Sequence, residues 1–335
     1  MPRPVGDQVV VVTGASSGVG RAIVRALGAK GAKVALLART EEALENAAKE
    51  IREAGGEALV LPTDVSSDVE VENAARAVIV RWGRIDTWIN DAMVSVFSPV
   101  HEMKAEEYRR VTEVNYLGTV FGSLTALKIM RVQGFGTILQ IGSALVYRSI
   151  PLQSAYCASK AAIRGFTDSL RCELLHQKSP VKVCILELPA VNTPQFDVVR
   201  SRLPNRPKPV APIFQPEIIA KAVLYAAEHP SRELWIGGSA IKAILGQRFI
   251  PGLLDRYLGK IGYDAQQTDQ PLPPSRPDNV FSPLPGDRGA HGAFDAEAVS
   301  FSPELWARMH RGALAAGLAL LALGGLFVGS RPRSA

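Results

Sequence analysis

Over the first 240 residues, short apolar runs alternate with amphipathic, helix-forming segments. The runs predict strands at Gln8 to Thr13, Lys33 to Ala38, Glu57 to Pro62, Asp86 to Asn90, Thr137 to Ile141, Val181 to Leu188 and Glu233 to Ile236. Helices are predicted from Arg21 to Lys30, from Glu41 to Ala54, from near Asp68, from Ala105 to Val132, over the stretch carrying Tyr156 and Lys160, and from Pro216 to Glu228. Strands that alternate with helices this regularly predict an α/β fold: a doubly wound parallel sheet with helices on both faces. Such a sheet binds ligands outside the carboxyl ends of its strands. Gly14, Asn90, Ser143 and Thr193 all fall at such ends.

The pattern changes after residue 240. Ser239 to Lys260 predicts a helix with Ile241, Ile244, Leu245, Phe249, Leu253, Leu254 and Tyr257 as its apolar set. Residues 261–302, richest in Pro, Gly and Asp from Gln266 to Gly292, predict an extended linker. Residues 303–335 lead through Pro303 to Arg311 into an uncharged run, 312–329, and a short basic tail. As a helix that run spans ~27 Å, enough for a bilayer core. Arg308 and Arg311 flank one side, and Arg331 and Arg333 the other. A membrane span is the expectation, and a buried or oligomer-packing helix is the other reading. Gly325-x-x-x-Gly329 fits a small-residue helix contact, and a homo-oligomer is left open. The organisation is therefore a catalytic domain (1–260), a linker (261–302) and an apolar C-terminal helix (303–335).

Composition narrows the classes. The net charge of +6 is spread thinly, with no basic run interleaved with aromatics, so a nucleic-acid partner is not expected. Cys157, Cys172 and Cys184 form an odd set without a Cys-x-x-Cys pair, which predicts reduced thiols. The five His lack metal-ligand spacing, and no metal is expected. MPRPVGD carries no apolar h-region, which places the catalytic domain in the cytoplasm, anchored through the tail or else fully soluble.

Candidate chemistry sits at the strand ends. Thr13-Gly14-x-x-x-Gly18-x-Gly20 joins the first strand to the first helix. Glycines there let the backbone approach a pyrophosphate, and the helix N-terminus offers free N–H groups. A plain Gly-rich turn is the bland alternative. The second strand ends in Ala38 and Arg39 with no carboxylate, which favours the 2′-phosphate of NADP(H) over NAD(H), unless Arg39 is simply solvated. Asp64, followed by Val65, could accept from an adenine amine or cap the next helix. Asn115 lies mid-helix, where Asn needs a local reason. Tyr156 and Lys160 are four apart on one helical face, and the strand before that helix delivers Ser143. A neighbouring cation favours the phenolate, which suits proton transfer to or from an alcohol. Read alone, such a pair is a core Tyr with a surface Lys. Residues 199–212, Pro-rich and basic, predict a mobile lid or surface loop. Its Arg200, Arg202, Arg206 and Lys208 could meet anionic headgroups or be ordinarily solvated.

Taken together, residues 6 to about 240 resemble the short-chain dehydrogenase/reductase superfamily. Thr13-Gly14-x-x-x-Gly18-x-Gly20 is similar to its cofactor motif, Asp64 to its adenine-contacting Asp, and Asn115, Ser143, Tyr156 and Lys160 to its catalytic tetrad. The resemblance implies a cofactor cradle of Gly14, Ser16, Ser17, Gly18, Val19, Gly20, Arg39, Asp64, Val65, Asn90, Ala92, Tyr156, Lys160, Val191 and Thr193. It implies hydride transfer between nicotinamide and a carbonyl or alcohol carbon of a small molecule. Tyr156 would exchange the proton, Lys160 lower the Tyr156 pKa and hold the ribose, Ser143 hold the substrate oxygen, and Asn115 keep a water path in place. Two motifs depart: the family's Asn-Asn-Ala-Gly reads Asn90-Asp91-Ala92-Met93, and its Pro-Gly reads Pro189-Ala190. The membrane tail points to an apolar substrate. A cofactor-binding sensor or scaffold without turnover is the competing class.

Overall fold

The computed structural model describes residues 2–273, 275–312 and 314. Seven strands form the central sheet: β1 (Val9–Thr13), β2 (Lys33–Ala38), β3 (Glu57–Pro62), β4 (Thr87–Asn90), β5 (Thr137–Ile141), β6 (Lys182–Glu187) and β7 (Glu233–Trp235). All pair in parallel, in the order β7-β6-β5-β4-β1-β2-β3. Val10 of β1 lies opposite Val34 on one side and Thr87 on the other. The chain order reverses there, so the β1 and β4 ends flank the crevice where such sheets bind ligands.

The helices are α1 (Gly18–Gly28), α2 (Glu41–Glu53), α3 (Asp68–Trp82), α4 (Ala105–Val111), α5 (Gly118–Gln133), α6 (Ser154–His176) and α7 (Pro216–Glu228). Strand side chains alternate between two cores. Val10, Val12, Leu36 and Leu186 pack with α1, α2 and α7. Val9, Val11, Trp88 and Val183 pack with α3, α5 and α6. This is the doubly wound sheet the sequence predicts. The helix expected over Ala105–Val132 is interrupted, because Thr112–Leu117 winds as a π-helical turn between α4 and α5. Such wide turns often mark functional sites, and Asn115 lies within this one.

Beyond β7 the helix expected over Ser239–Lys260 is two, α8 (Ser239–Phe249) and α9 (Pro251–Ile261), because Pro251 cannot continue α8. The stretch 261–302, expected to extend as a linker, is instead a strap packed on the domain. Its Gln267–Pro271 strand pairs antiparallel with Asn205–Pro207. Val280 is fully buried among the α3–α6 core residues and Ala290 among those of α1 and α7. Ala298–Val299 joins Ile213–Phe214 in parallel. The strap ends at α10 (Pro303–Met309), whose Leu305 is buried. The uncharged run 312–329 lies outside the described residues except for Gly312 and Leu314. Among the described residues no helix is long and apolar enough to cross a membrane.

The 199–212 segment is likewise tied down rather than free. Glu107 on α4, with no solvent exposure, accepts from Arg200 at 3.1 Å and Arg202 at 2.8 Å. Arg200 also reaches Asp278 of the strap at 2.8 Å. Two of the four cations expected at headgroups are therefore spent on one buried acid. Burial opposes ionisation of Glu107, but Arg202, the Lys104 N–H and Arg200 together hold its pKa below the usual carboxylate value. A depressed folded pKa gives stability that is present above the unfolded pKa and lost as pH falls through the folded one. Glu107→Gln is expected to cost about 3 kcal/mol at pH 7 and to flatten the acid side of the stability profile below about pH 4. Urea unfolding at pH 7 and pH 3 checks this, and an equal loss at both would show the ion pairs contribute nothing.

Candidate active site

A cleft of about 590 Å³ opens along the carboxyl ends of β1, β2, β4 and β5. Gly14 follows β1 at φ +74°, and a Cβ there would lie 2.9 Å from the backbone of Ala92. A Cβ on Gly20 would collide with the Gly14 carbonyl at 2.2 Å. These two positions admit only glycine, and the result is a tight βα turn leading into α1. Thr13 closes the turn from below: its Oγ1 accepts from the N–H groups of Asp91 at 3.0 Å and Ala92 at 3.1 Å. Ser17 is the residue before α1, and its hydroxyl caps no helix N–H, which leaves it available to a ligand.

Of the residues assigned to the cofactor, Gly14, Ser16, Ser17, Gly18, Val19, Arg39, Asp64, Val65, Ala92, Tyr156, Lys160, Val191 and Thr193 line this one cleft. Gly20 stands behind the turn. Asn90 does not reach the cleft: its Nδ2 donates to Gln140 at 2.9 Å and its Oδ1 accepts from Trp88 at 2.9 Å. It knits β4 to β5 inside the sheet. Asp64 accepts from Arg110 at 2.6 Å and from the Ser66 hydroxyl at 2.8 Å.

The strap runs over the end of the cleft near Arg39. Arg39 donates to the carbonyls of Asn279 at 2.7 Å and Phe281 at 3.3 Å. The Gly18 N–H, first in α1, donates to Gly289 O at 2.9 Å. Buried Arg21 pairs with Asp287 of the strap at 3.0 Å as well as with Glu50 at 2.9 Å. Arg39 thus commits two of its five N–H donors and keeps the rest.

At the other end of the cleft stand Ser143, Tyr156 and Lys160. The Ser143 hydroxyl lies close enough to Tyr156 to favour its phenolate. Lys160 is buried, donates to Ile141 O at 2.6 Å and lies 5.7 Å from the centroid of the Tyr156 ring. Asn115 does not reach the cleft surface. Its amide brackets Val94, accepting from Val94 N at 2.8 Å and donating to Val94 O at 3.0 Å, and donates to Ser159 on α6 at 3.0 Å. It fixes the wall beside Met93 and Val94.

Two acids complete the site, and the sequence reading overlooked both. Asp91 borders the cleft where the family has Asn; burial pushes its carboxyl up to about 7, against the attraction of Lys160 and the Gly20 N–H. Glu187 ends β6 without exposure, accepting from Ser143 N at 2.7 Å and Arg164 at 3.0 Å. Burial raises it to about 7 as well, against Arg164 and the Ser143 N–H. The advance signals were the Asp in Asn90-Asp91-Ala92-Met93, where the family has Asn, and a carboxylate closing the apolar run Val-Cys-Ile-Leu-Glu. Tyr156 is raised, by burial first and then by the charges of Cys157, Asp91 and Glu187, although Ser143 opposes the rise. Lys160 is lowered by burial, against those same two carboxylates.

Residues 8–203 match the family model described as short chain dehydrogenase. The chain is 37% identical over 290 residues to the uncharacterized oxidoreductase YxnA of Bacillus subtilis (strain 168), covering 85% of this chain and 81% of that protein. An alignment that long reaches past residue 203. A fatty acyl-CoA reductase of Acinetobacter baylyi is 32% identical over 67% of this chain and 75% of its own. Among solved structures, an alcohol dehydrogenase from the archaeon Thermococcus sibiricus, complexed with 5-hydroxy-NADP, superposes with a TM-score of 0.60 at 30% identity. That match covers 68% of this chain and 95% of the other.

Proposed function

Because the chain belongs to the short-chain dehydrogenase family, we propose that this oxidoreductase uses NADP(H) to interconvert a carbonyl and an alcohol on an apolar substrate. The observation that carries this is one cleft with Arg39 at one end and the Ser143–Tyr156–Lys160 group at the other. The glycine cradle of Gly14 and Gly20 and the uncapped Ser17 hydroxyl fit a dinucleotide pyrophosphate, with the α1 N–H groups beyond Gly18, whose own N–H the strap holds. Val65, Val191 and Thr193 would flank it. A bound nicotinamide would supply or accept the hydride.

The chain's own groups handle the proton. The Tyr156 hydroxyl is protonated near neutral pH and stands where it can deliver a proton to a carbonyl oxygen. Ser143, at the same end of the cleft, would hold the same oxygen. Glu187 holds the Ser143 backbone, so the strand end cannot drift. Asn115 fixes Val94 and Ser159, and through them the wall facing Tyr156. Lys160 would hold the cofactor ribose. Leu145, Ile150, Phe196 and Leu258 line the substrate end, and these apolar walls support an apolar substrate. The uncharged run 312–329 supports a membrane anchor for the chain.

The cofactor choice is tested at Arg39. A lost charged hydrogen bond costs about 1.5–3 kcal/mol, so Arg39→Ala is expected to lower the kcat/KM preference for NADPH over NADH by about tenfold or more. The dissociation constant for NADPH should rise with it, while that for NADH stays put. An unchanged ratio would remove Arg39 from the 2′-phosphate site.

A further inference from the structure

The α8–α9 hairpin turns a band of apolar side chains to solvent at the mouth of the cleft. Ile241, Leu245 and Phe249 recur every four residues along α8 and form one stripe. Phe249 is 75% exposed and Leu245 53%. On α9, Leu253 (59%) and Tyr257 (56%) are exposed, and Leu254, Tyr257 and Leu258 line the cleft. A Cβ on Gly246 would lie 3.0 Å from Leu254, so the helices cross closely there. Exposed apolar surface this concentrated marks an interaction site.

The charge on the same helices says what it meets. Lys242, Arg248, Arg256 and Lys260 lie on the hairpin, and none is ion-paired among the described residues. The one acid between them, Asp255, is neutralised by Arg148 at 2.6 Å. A second copy of the chain docking through this face would oppose like cations across a two-fold axis. An anionic surface with an apolar interior matches both features. The tail starts close by. Gly237 N–H donates to Ser302 Oγ at 3.4 Å, and a Cβ on Gly238 would lie 3.0 Å from Glu304 Oε1. The uncharged run therefore begins roughly 12 Å of helix away from the start of α8.

We propose that the α8–α9 face docks on an anionic phospholipid bilayer, with its apolar stripes in the headgroup–acyl boundary and its Lys and Arg on the headgroups. The cleft-lining residues Leu254 and Leu258 then border a path from the lipid to Tyr156. Docking needs no turnover; only that path rests on the proposed function, so the two can fail separately.

The test is hydrogen exchange of the full chain with vesicles of phosphatidylcholine, with or without phosphatidylserine. Amides over 241–257 should exchange about tenfold more slowly on the mixed vesicles, and less so on phosphatidylcholine alone. The variant L245E/F249E/L253E should lose that slowing. Its kcat/KM for a water-soluble carbonyl should match wild type, which also reports that it folds. Exchange over 241–257 untouched by vesicles, with the chain still bound through its tail, would overturn the docking face. So would slowing that needs no vesicles and grows with protein concentration, which would mean a second copy covers it.

Discussion

Tyr156→Phe is expected to lower kcat for carbonyl reduction by about 10³-fold or more, with the NADPH dissociation constant within about twofold of wild type. Phe keeps the ring and removes only the hydroxyl beside Ser143. Ser143 Oγ still accepts from Leu145 N at 3.2 Å, and its backbone is still held by Glu187, so the site keeps its shape. Steady-state rates and a fluorescence titration with NADPH separate the two quantities. Activity within a few-fold of wild type would mean the proton comes from elsewhere. If the wild-type chain binds NADPH but turns over no carbonyl in a broad panel, the sensor reading replaces the enzyme.

That expectation was legible in the sequence because its parts are local. Tyr156 and Lys160 share a helical face by spacing alone, and the apolar run ending at Ile141 had to deliver Ser143 to the same edge of the sheet. The strands were legible for the same reason: runs such as Val9–Thr13 are buried on both faces, and their composition says so. Asn90 and Asn115 were found by position, but not the partners of their amides. Position predicts that a residue lies near a strand end, but not whether its amide is spent on Gln140 or on Val94.

The strap was illegible for a physical reason. An extended segment carries no helical or strand period, and its Pro, Gly and Asp content is that of a solvated linker. Its attachment rests on single buried residues, Val280 and Ala290, and on backbone groups such as the Asn279 and Gly289 carbonyls. None of these leaves a signature in one sequence. Its consequence falls on Arg39, which sequence logic placed at a ribose phosphate and which the structure also shows tethering the strap. The acids were missed in a similar way, since a lone Asp91 or Glu187 acquires meaning only when folding sets it beside Lys160.

Those acids decide what happens when Lys160 is removed. Lys160→Met is expected to lower kcat about 10²-fold and to weaken NADPH binding about tenfold, since one buried ammonium serves both the reacting site and the cofactor ribose. The stability effect should depend on pH, and its sign follows from the neighbours. Asp91 and Glu187 both titrate at about 7 in the folded chain, above the value of about 4 expected when unfolded. Raised folded values stabilise at low pH: the contribution is full below about pH 4 and gone as pH passes about 7. Without the ammonium both carboxyls rise further, and above pH 7 the fold must hold them ionised with less compensation. Lys160→Met should therefore unfold at a urea concentration close to wild type at pH 5 and clearly lower at pH 8. A loss that is equal at the two pH values would show that Lys160 does not neutralise this pair. A kcat that survives while NADPH binding weakens would restrict Lys160 to holding the cofactor.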